Sequence, residues 1–127
     1  MENLIIEQSR ATPLINFNSD IHVLKLSGES YPENAFKFYE PIFDWLDTYL
    51  ELELINSNII IEFALTYINS SSIRCIMMLL DKFESAYINQ KSILVRWYYD
   101  LGNESSLECA EELKEDITLP FEIIPQE

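Results

Sequence analysis

Glycine is scarce in this sequence, and the two glycines present, Gly28 and Gly102, lie far apart. The glycine-rich turns that hold nucleotide phosphates, GxxxxGK and GxGxxG, need glycines at close spacing because the backbone must approach the phosphate. Neither motif can be written anywhere in the chain. We therefore exclude nucleotide binding through these loops, and the sequence predicts no cofactor.

Basic residues are also few: eight Lys and Arg stand against 22 Asp and Glu, which gives a formal net charge of −14. A chain of this charge is repelled by the phosphates of nucleic acids and by anionic membrane surfaces. It contains no run of about 18 apolar residues, and Met1, Glu2 and Asn3 lack the basic flank of a signal peptide. We expect a cytoplasmic protein that binds neither nucleic acid nor membrane.

Residues that often carry chemistry are sparse as well. Cys75 and Cys109 fit neither a CxxC redox pair nor a metal-binding cluster, and we interpret them as reduced, inert thiols. The single histidine, His22, has no nucleophile or acidic partner near it in the sequence. Acidic residues at helical spacing, such as Asp44 and Asp47, are typical of solvated helix faces. The sequence thus predicts no catalytic residue and no metal site.

What the chain does contain is apolar material for one core, since 48% of its 127 residues are hydrophobic. The early apolar runs predict two or three strands that pair antiparallel. The run at 58–68 is almost continuously apolar, which is typical of a central strand buried on both faces. Strands are predicted at 4–6, 14–17, 23–26, 58–68, 92–99 and 121–124.

Apolar residues at spacings of three and four predict helices at about 41–53, 71–89 and 105–115. Pro41 should start or kink the first of them, because proline removes a backbone donor and crowds the preceding turn. Strands and helices alternate through the middle of the chain, which favours a sheet with parallel strands. We predict an α/β fold with a single domain over 1–127 and a mixed β-sheet covered by helices.

One block is unusual: Asn69-Ser70-Ser71-Ser72 lies where the predicted central strand meets the second helix. Small polar residues there are ordinary caps, because their oxygens accept hydrogen bonds from the first-turn amides. Three serines nevertheless exceed what one cap needs. The unpaired amides and partial positive charge of a helix N-terminus can also hold a phosphoryl group on an adjacent serine. Both interpretations remain open on these residues alone.

Several segments together resemble the SiaC family, bacterial regulatory phosphoproteins related in fold to the STAS-domain antagonists of anti-sigma factors. The resemblance runs nearly end to end. The chain departs from the family pattern in having Ser rather than Thr at 70, Arg rather than Lys at 74, and an acidic C-terminal stretch that carries Cys109. The resembling segments are Met1-Glu2-Asn3-Leu4-Ile5-Ile6, Ser30-Tyr31-Pro32-Glu33-Asn34, Phe38-Tyr39-Glu40-Pro41-Ile42-Phe43-Asp44-Trp45-Leu46, Tyr67-Ile68-Asn69-Ser70-Ser71-Ser72-Ile73-Arg74 and Trp97-Tyr98-Tyr99-Asp100.

The resemblance implies a non-catalytic regulator in a partner-switching pathway with a STAS-like domain. It implies that a Ser/Thr protein kinase of histidine-kinase-like fold phosphorylates the residue after Asn69, which is Ser70, with Ser71 as the alternative. A PP2C-like phosphatase would remove the phosphate. The unphosphorylated form would bind and activate a diguanylate cyclase, which raises cyclic-di-GMP and promotes biofilm formation. The alternative function is that of an anti-sigma factor antagonist that controls a sigma factor.

A partner must cover the modified residue to sense it, because physiological salt screens the added charge over about 8 Å. We therefore expect a recognition surface around Ser70. Arg74 could contact the phosphate or acidic groups of a partner, or be a plain surface residue. The residues expected on this surface are Asn69, Ser71, Ser72, Arg74, Glu33 and Asn34.

Overall fold

The structure is a computed structural model that describes residues 1–52 and 57–127. The predicted end of the first helix, near 53, lies outside the described residues. Across the described ranges, no helix combines the length and apolarity that would let it cross a membrane. The elements are β1 (Leu4–Ile6), β2 (Leu14–Asn18), β3 (Val23–Ser30), α1 (Ala35–Glu51), β4 (Asn58–Ile68), α2 (Ser70–Ile88), β5 (Ser92–Asp100), α3 (Glu104–Glu115) and β6 (Phe121–Gln126).

All the strands join one mixed sheet in the order β1-β2-β3-β4-β5-β6. The pairs β1–β2 and β2–β3 are antiparallel, and the pairs from β3 to β6 are parallel. The predicted mixed α/β sheet is therefore confirmed. Each parallel connection steps to the next strand in the same direction, so right-handed crossovers place α1, α2 and α3 on one face.

Strand β4 shows how the core is built. Ile59, Ile61, Phe63 and Leu65 alternate along it and are all buried beneath the helices. The intervening residues of β4, such as Glu62, are only half-buried. The prediction that this strand is buried on both faces is wrong, because all the crossovers run the same way and the helices cover one face of the sheet.

The uncovered face carries charges in register across four strands. Lys25 on β3 is the partner of Glu62 on β4, which is the partner of Arg96 on β5, which in turn pairs with Glu122 on β6. The Arg96 Nε atom lies 3.2 Å from the Glu122 Oε1 atom. Opposite charges on neighbouring strands stabilise the sheet modestly and keep this face polar.

Helix α1 begins before Pro41, at Ala35, so the prediction that its regular part starts near the proline is wrong. The reason is the position of the proline on the helix: Pro41 and Lys37, one turn before it, are both exposed. The Lys37 carbonyl that loses its intrahelical N–H partner therefore faces water, which replaces the missing hydrogen bond. Tyr39, Ile42 and Leu46 on the opposite side are fully buried.

An irregular pairing shapes the edge where β3 and β4 end. Gly28 is the partner of Leu65 and Glu29 is the partner of Tyr67, so Thr66 is an extra residue on β4. Gly28 has a φ of +112°, a conformation that suits glycine. The extra residue breaks the alternation along β4, and Tyr67 is 55% exposed although it follows a buried run.

Candidate functional site at the start of helix α2

The serine block lies at the carboxyl ends of β3 and β4, where α2 begins. Asn69 is the only residue between β4 and α2, and its backbone N–H donates to the carbonyl of Ser30, the last residue of β3, over 3.0 Å. Helix α1 follows β3 and α2 follows the neighbouring parallel strand β4, so both helices begin at this edge. The residues predicted as a recognition surface are thus brought together on one end of the sheet.

Asn69 caps α2. Its Oδ1 atom accepts a hydrogen bond from the Ser72 N–H at 2.9 Å, and its carbonyl accepts one from the Ile73 N–H at 3.0 Å. Asn34 and Asn103 play the same part at the starts of α1 and α3, each accepting from the amide three residues later. The capping interpretation therefore accounts for the asparagine and leaves the three serines to be explained.

Ser72 belongs to the core. Its side chain is fully buried, and its Oγ atom accepts a 2.8 Å hydrogen bond from the Ser30 hydroxyl. Ser30 lies 2.8 Å from the Tyr39 hydroxyl, and because its one proton goes to Ser72, Tyr39 is the donor to it. Burial raises the pKa of Tyr39 to about 12, so the phenol keeps the proton that it donates. The prediction that Ser72 is a recognition residue is wrong, because no partner can reach it.

Ser71 and Ser70 are both exposed, but they differ in their contacts. The Ser71 hydroxyl donates to the Asn69 Oδ1 atom over 3.2 Å, so it supports the cap. In the part of the chain that the structure describes, the Ser70 hydroxyl makes no hydrogen bond, and the backbone N–H groups of Ser70 and Ser71 make none either. Ser70 is therefore a free hydroxyl beside two free amides at the positive end of a helix.

Arg74 lies one helical turn after Ser70 and is exposed. It makes no ion pair within residues 1–52 and 57–127. Side chains four residues apart on a helix are neighbours, so Arg74 can reach a group carried by Ser70. Glu33 is exposed at the start of α1, whereas the side chain of Asn34 accepts from the Lys37 N–H and is committed to its own cap.

Two groups at this edge were not predicted. Tyr67 stands exposed three residues before Ser70, and its ring packs edge-on against Tyr31 with centroids 5.8 Å apart. Its exposure follows from the extra residue at Thr66, which the alternation of apolar residues does not reveal. The second group is Ser30, whose buried hydroxyl donates to Ser72 beneath the exposed serines. The two residues are 42 positions apart in the chain, so the local sequence gives no sign of this contact.

Histidine and metal-ligating side chains do not gather at this edge within the described residues. His22, the one histidine, lies elsewhere, where its Nδ1 atom is 2.7 Å from the Tyr49 hydroxyl. No group of three metal-ligating side chains occurs among the described residues. What this edge offers a partner is an exposed hydroxyl, an exposed cation and an exposed aromatic ring.

Comparison with known proteins identifies the family of this chain. A family model described as "SiaC family regulatory phosphoprotein" matches residues 6–126. An uncharacterised protein of Pseudomonas aeruginosa strain UCBPP-PA14 is 35% identical over 128 residues, which cover 97% of this chain and 96% of that protein.

Solved structures of SiaC also match this chain over nearly its whole length. The crystal structure of apo-SiaC from Pseudomonas aeruginosa superposes with a TM-score of 0.91 at 33% identity, covering 98% of this chain and 99% of that one. A second crystal structure contains the diguanylate cyclase SiaD of Pseudomonas aeruginosa in complex with its activator SiaC. This chain matches that structure with a TM-score of 0.91 at 33% identity, covering 97% of this chain and 99% of that one. This chain therefore belongs to the SiaC family of regulatory phosphoproteins, as its sequence segments predict, and its role is regulatory and not catalytic.

Proposed function

We propose that this chain is a phosphorylation-controlled regulator in a bacterial partner-switching pathway and that Ser70 is the residue that is modified. The observation that carries the proposal is the different use of three adjacent hydroxyls. Ser72 is buried in a hydrogen-bonded chain and Ser71 bonds to the cap, whereas Ser70 is exposed and makes no hydrogen bond among the described residues. A kinase reaches Ser70 without unfolding the domain.

A phosphate on Ser70 finds favourable electrostatics at this position. The two free first-turn amides and the helix dipole favour an anion there by about 0.3–1 kcal/mol. Arg74, one turn along, adds a cation that a phosphate can pair with. Since Ser70 is exposed, the phosphate keeps most of its hydration. We infer that modification leaves the fold intact and changes the surface.

The enzymes that act on Ser70 follow from the family resemblance. We infer that a Ser/Thr kinase of histidine-kinase-like fold adds the phosphate and that a PP2C-like phosphatase removes it. Both must bind the edge formed by the starts of α1 and α2, where Glu33 and Arg74 offer charges of opposite sign. The Asn69 amide oxygen already accepts hydrogen bonds from the Ser72 N–H and the Ser71 hydroxyl, so its part in recognition is to hold Ser70 in place.

The proposed output is a diguanylate cyclase. SiaC of Pseudomonas aeruginosa forms a complex with the cyclase SiaD as its activator, and we propose that the unphosphorylated form of this chain acts likewise on a cyclase of its own host. A phosphate adds a charge of about −1.5 to −2, small beside −14. It must therefore act by contact. A loss of about 2.8 kcal/mol at the contact already lowers affinity a hundredfold.

The first experiment maps the phosphate. Protein isolated from its native host is analysed by intact-mass and fragment mass spectrometry beside the Ser70→Ala and Ser71→Ala variants. We expect one added phosphate that is lost in Ser70→Ala and kept in Ser71→Ala. Loss in Ser71→Ala alone would move the switch by one residue, and no phosphate under any growth condition would refute the proposal.

The second experiment identifies the output. Tagged wild-type protein and the Ser70→Asp variant are used to co-purify partners from the same host. We expect a diguanylate cyclase with the wild type and at least about tenfold less of it with Ser70→Asp. Recovery of a sigma-regulating kinase in place of a cyclase would indicate an anti-sigma factor antagonist instead.

A further inference from the structure

A second surface with the features of a binding site lies between α2 and α3, on the helical side of the sheet. Two connected cavities of about 320 and 270 Å³ share the residues Ile73, Ser105 and Cys109. We call the combined surface the α2/α3 groove. It begins beside Tyr67 and Ile68, at the carboxyl end of β4, and runs along the helices to Asp116.

The floor of the groove is apolar and partly open to solvent. Ile73 and Met77 contribute from α2, four residues apart and therefore on one face, and Cys109 and Leu113 contribute in the same way from α3. Met77 is 43% exposed although it is a large apolar side chain. Flexible methionine side chains at a surface suit a site that adapts to an apolar partner.

The rim of the groove is acidic. Glu108 and Glu112 on α3 and Asp116, the C-cap residue just after it, follow one another at helical spacing, line the groove and are exposed. Burial, followed by the Glu112 carboxylate, raises the pKa of the Cys109 thiol, which agrees with a negative potential on the groove floor. An occupant with apolar side chains for the floor and cations for the rim matches both properties.

The walls of the groove are held in place at both ends. Near the sheet edge, the Asn103 side chain donates to the Thr66 carbonyl, and the Trp97 indole N–H donates to the buried Ser106 hydroxyl over 3.0 Å. Near the far end, the Glu84 carboxylate on α2 accepts hydrogen bonds from Thr118, just after α3. The groove is thus formed in the free protein, and little ordering of its walls opposes binding.

The groove also selects the shape of its occupant. Its side walls are two helices whose backbone groups bond within each helix, so an added β-strand would find no main-chain partners there. An α-helix satisfies its own backbone and presents a stripe of side chains. The stretch from Ser105 on α3 to its C-cap residue Asp116 measures about 16 Å at 1.5 Å per residue, which matches roughly three turns of a bound helix.

We propose that the α2/α3 groove binds an amphipathic helix of a partner protein, with aliphatic side chains on the floor and Lys or Arg side chains against Glu108, Glu112 and Asp116. This inference does not require phosphorylation of Ser70, since none of these contacts involves that residue. It identifies a docking surface that adjoins the edge carrying the serine block at Tyr67 and Ile68 and extends away from it along α3.

The test uses displayed helical peptides of about 14 residues with aliphatic residues on one stripe. One library has Lys and Arg beside the stripe, and a matched library has Glu at the same positions. Both are selected against the full chain. We expect binders from the basic library alone, and we expect those binders to slow alkylation of Cys109, which lies in the groove, as measured by mass spectrometry at pH 8.5.

Paired variants then locate the binders. Met77→Glu should weaken binding at least about tenfold, whereas Met78→Glu, at a residue that is similarly exposed but outside the groove, should change it less than about twofold. The test double variant carries Glu108→Lys and Glu112→Lys, and the control double variant carries Glu111→Lys and Glu115→Lys. Both alter the net charge equally, and the test variant should weaken binding about tenfold more than the control. Thermal unfolding confirms that each variant is folded.

Four results would overturn the proposal. They are an absence of binders from the basic library, equal recovery from the acidic library, binders that leave Cys109 unprotected, and binders that respond to Met78→Glu as strongly as to Met77→Glu. None of them bears on phosphorylation at Ser70. Conversely, a failure to find phosphoserine would leave the groove result intact, so the two proposals fail separately.

Discussion

Replacing Ser72 with Ala should destabilise the fold, although the change removes a single oxygen atom. The Ser72 Oγ atom is the acceptor at the end of a chain of two 2.8 Å hydrogen bonds that runs from the Tyr39 hydroxyl through the Ser30 hydroxyl. All three side chains are completely buried. In the variant the Ser30 proton has no acceptor, and no water can replace the lost oxygen without opening the core.

The expected size follows from that geometry. Leaving one buried donor unsatisfied costs about 1–3 kcal/mol, and the better helix propensity of Ala returns a few tenths. For a chain of this size, a loss of about 2 kcal/mol corresponds to a melting temperature lower by roughly 6–10 °C. It should also lower the urea midpoint by roughly 1 M.

Urea denaturation followed by circular dichroism measures the change. Ser70→Ala and Ser71→Ala are the matched controls, since they make the same substitution at neighbouring exposed positions and should stay within about 0.5 kcal/mol of wild type. Ser30→Ala completes a double-mutant cycle with Ser72→Ala. Because the two hydroxyls share one bond, their effects should be coupled by at least about 0.5 kcal/mol. A Ser72→Ala protein as stable as wild type, or strictly additive effects, would show that the hydrogen-bonded chain does not hold α2 to β3.

Three further predictions concern the same end of the molecule. Ser70→Asp should leave the melting temperature unchanged or raise stability by about 0.3–1 kcal/mol, since it places an anion at a helix N-terminus; a clear loss would contradict the exposed position of Ser70. Asn69→Ala should cost about 0.5–2 kcal/mol in urea denaturation through loss of the cap, whereas Asn69→Asp should keep most of it. Stability should decline from pH 10 toward 12, because the Tyr39 and Tyr49 phenols ionise near pH 10 when unfolded but have folded pKa values of about 12, raised by burial; Tyr39→Phe should remove part of this decline, and an unchanged slope would argue against a buried, protonated phenol at Tyr39.

Much of the fold could be predicted because period-2 and period-3.6 patterns record which side of an element is buried. The strand at Asn58–Ile68 was predicted with its observed bounds, since it is bounded by polar residues on both sides. The start of α1 was missed because a local rule about Pro41 was applied without knowing that this residue faces water. The uncovered face of the sheet was missed for a similar reason. Ile60 and Leu94 on that face are apolar but only half-buried, and the sequence does not show whether helices cover them.

The candidate site shows the same limit. The residues located the serine block, and the family resemblance favoured Ser70 with Ser71 as the alternative. The sequence could not show that Ser72 differs from its neighbours, because this difference arises from contacts outside the block. Ser72 is buried by residues of β3 and α1, and only the folded chain brings Ser30 and Tyr39 to it. Tyr67 was part of a recognised segment, yet its exposure depends on one extra residue in β4.

The third helix offers an internal comparison for the switch. In α3, as in α2, an asparagine caps the helix and a buried serine lies three residues later: Asn103 and Ser106 correspond to Asn69 and Ser72. The first residue of α3 is Glu104, an anion, whereas the first residue of α2 is Ser70, which is neutral. A phosphate on Ser70 would give α2 the charge that α3 already carries at the same place. Since α3 carries an anion at this position of the same cap, we expect α2 to accept one without rearrangement, and a partner that distinguishes the proposed two forms would have to touch the start of α2.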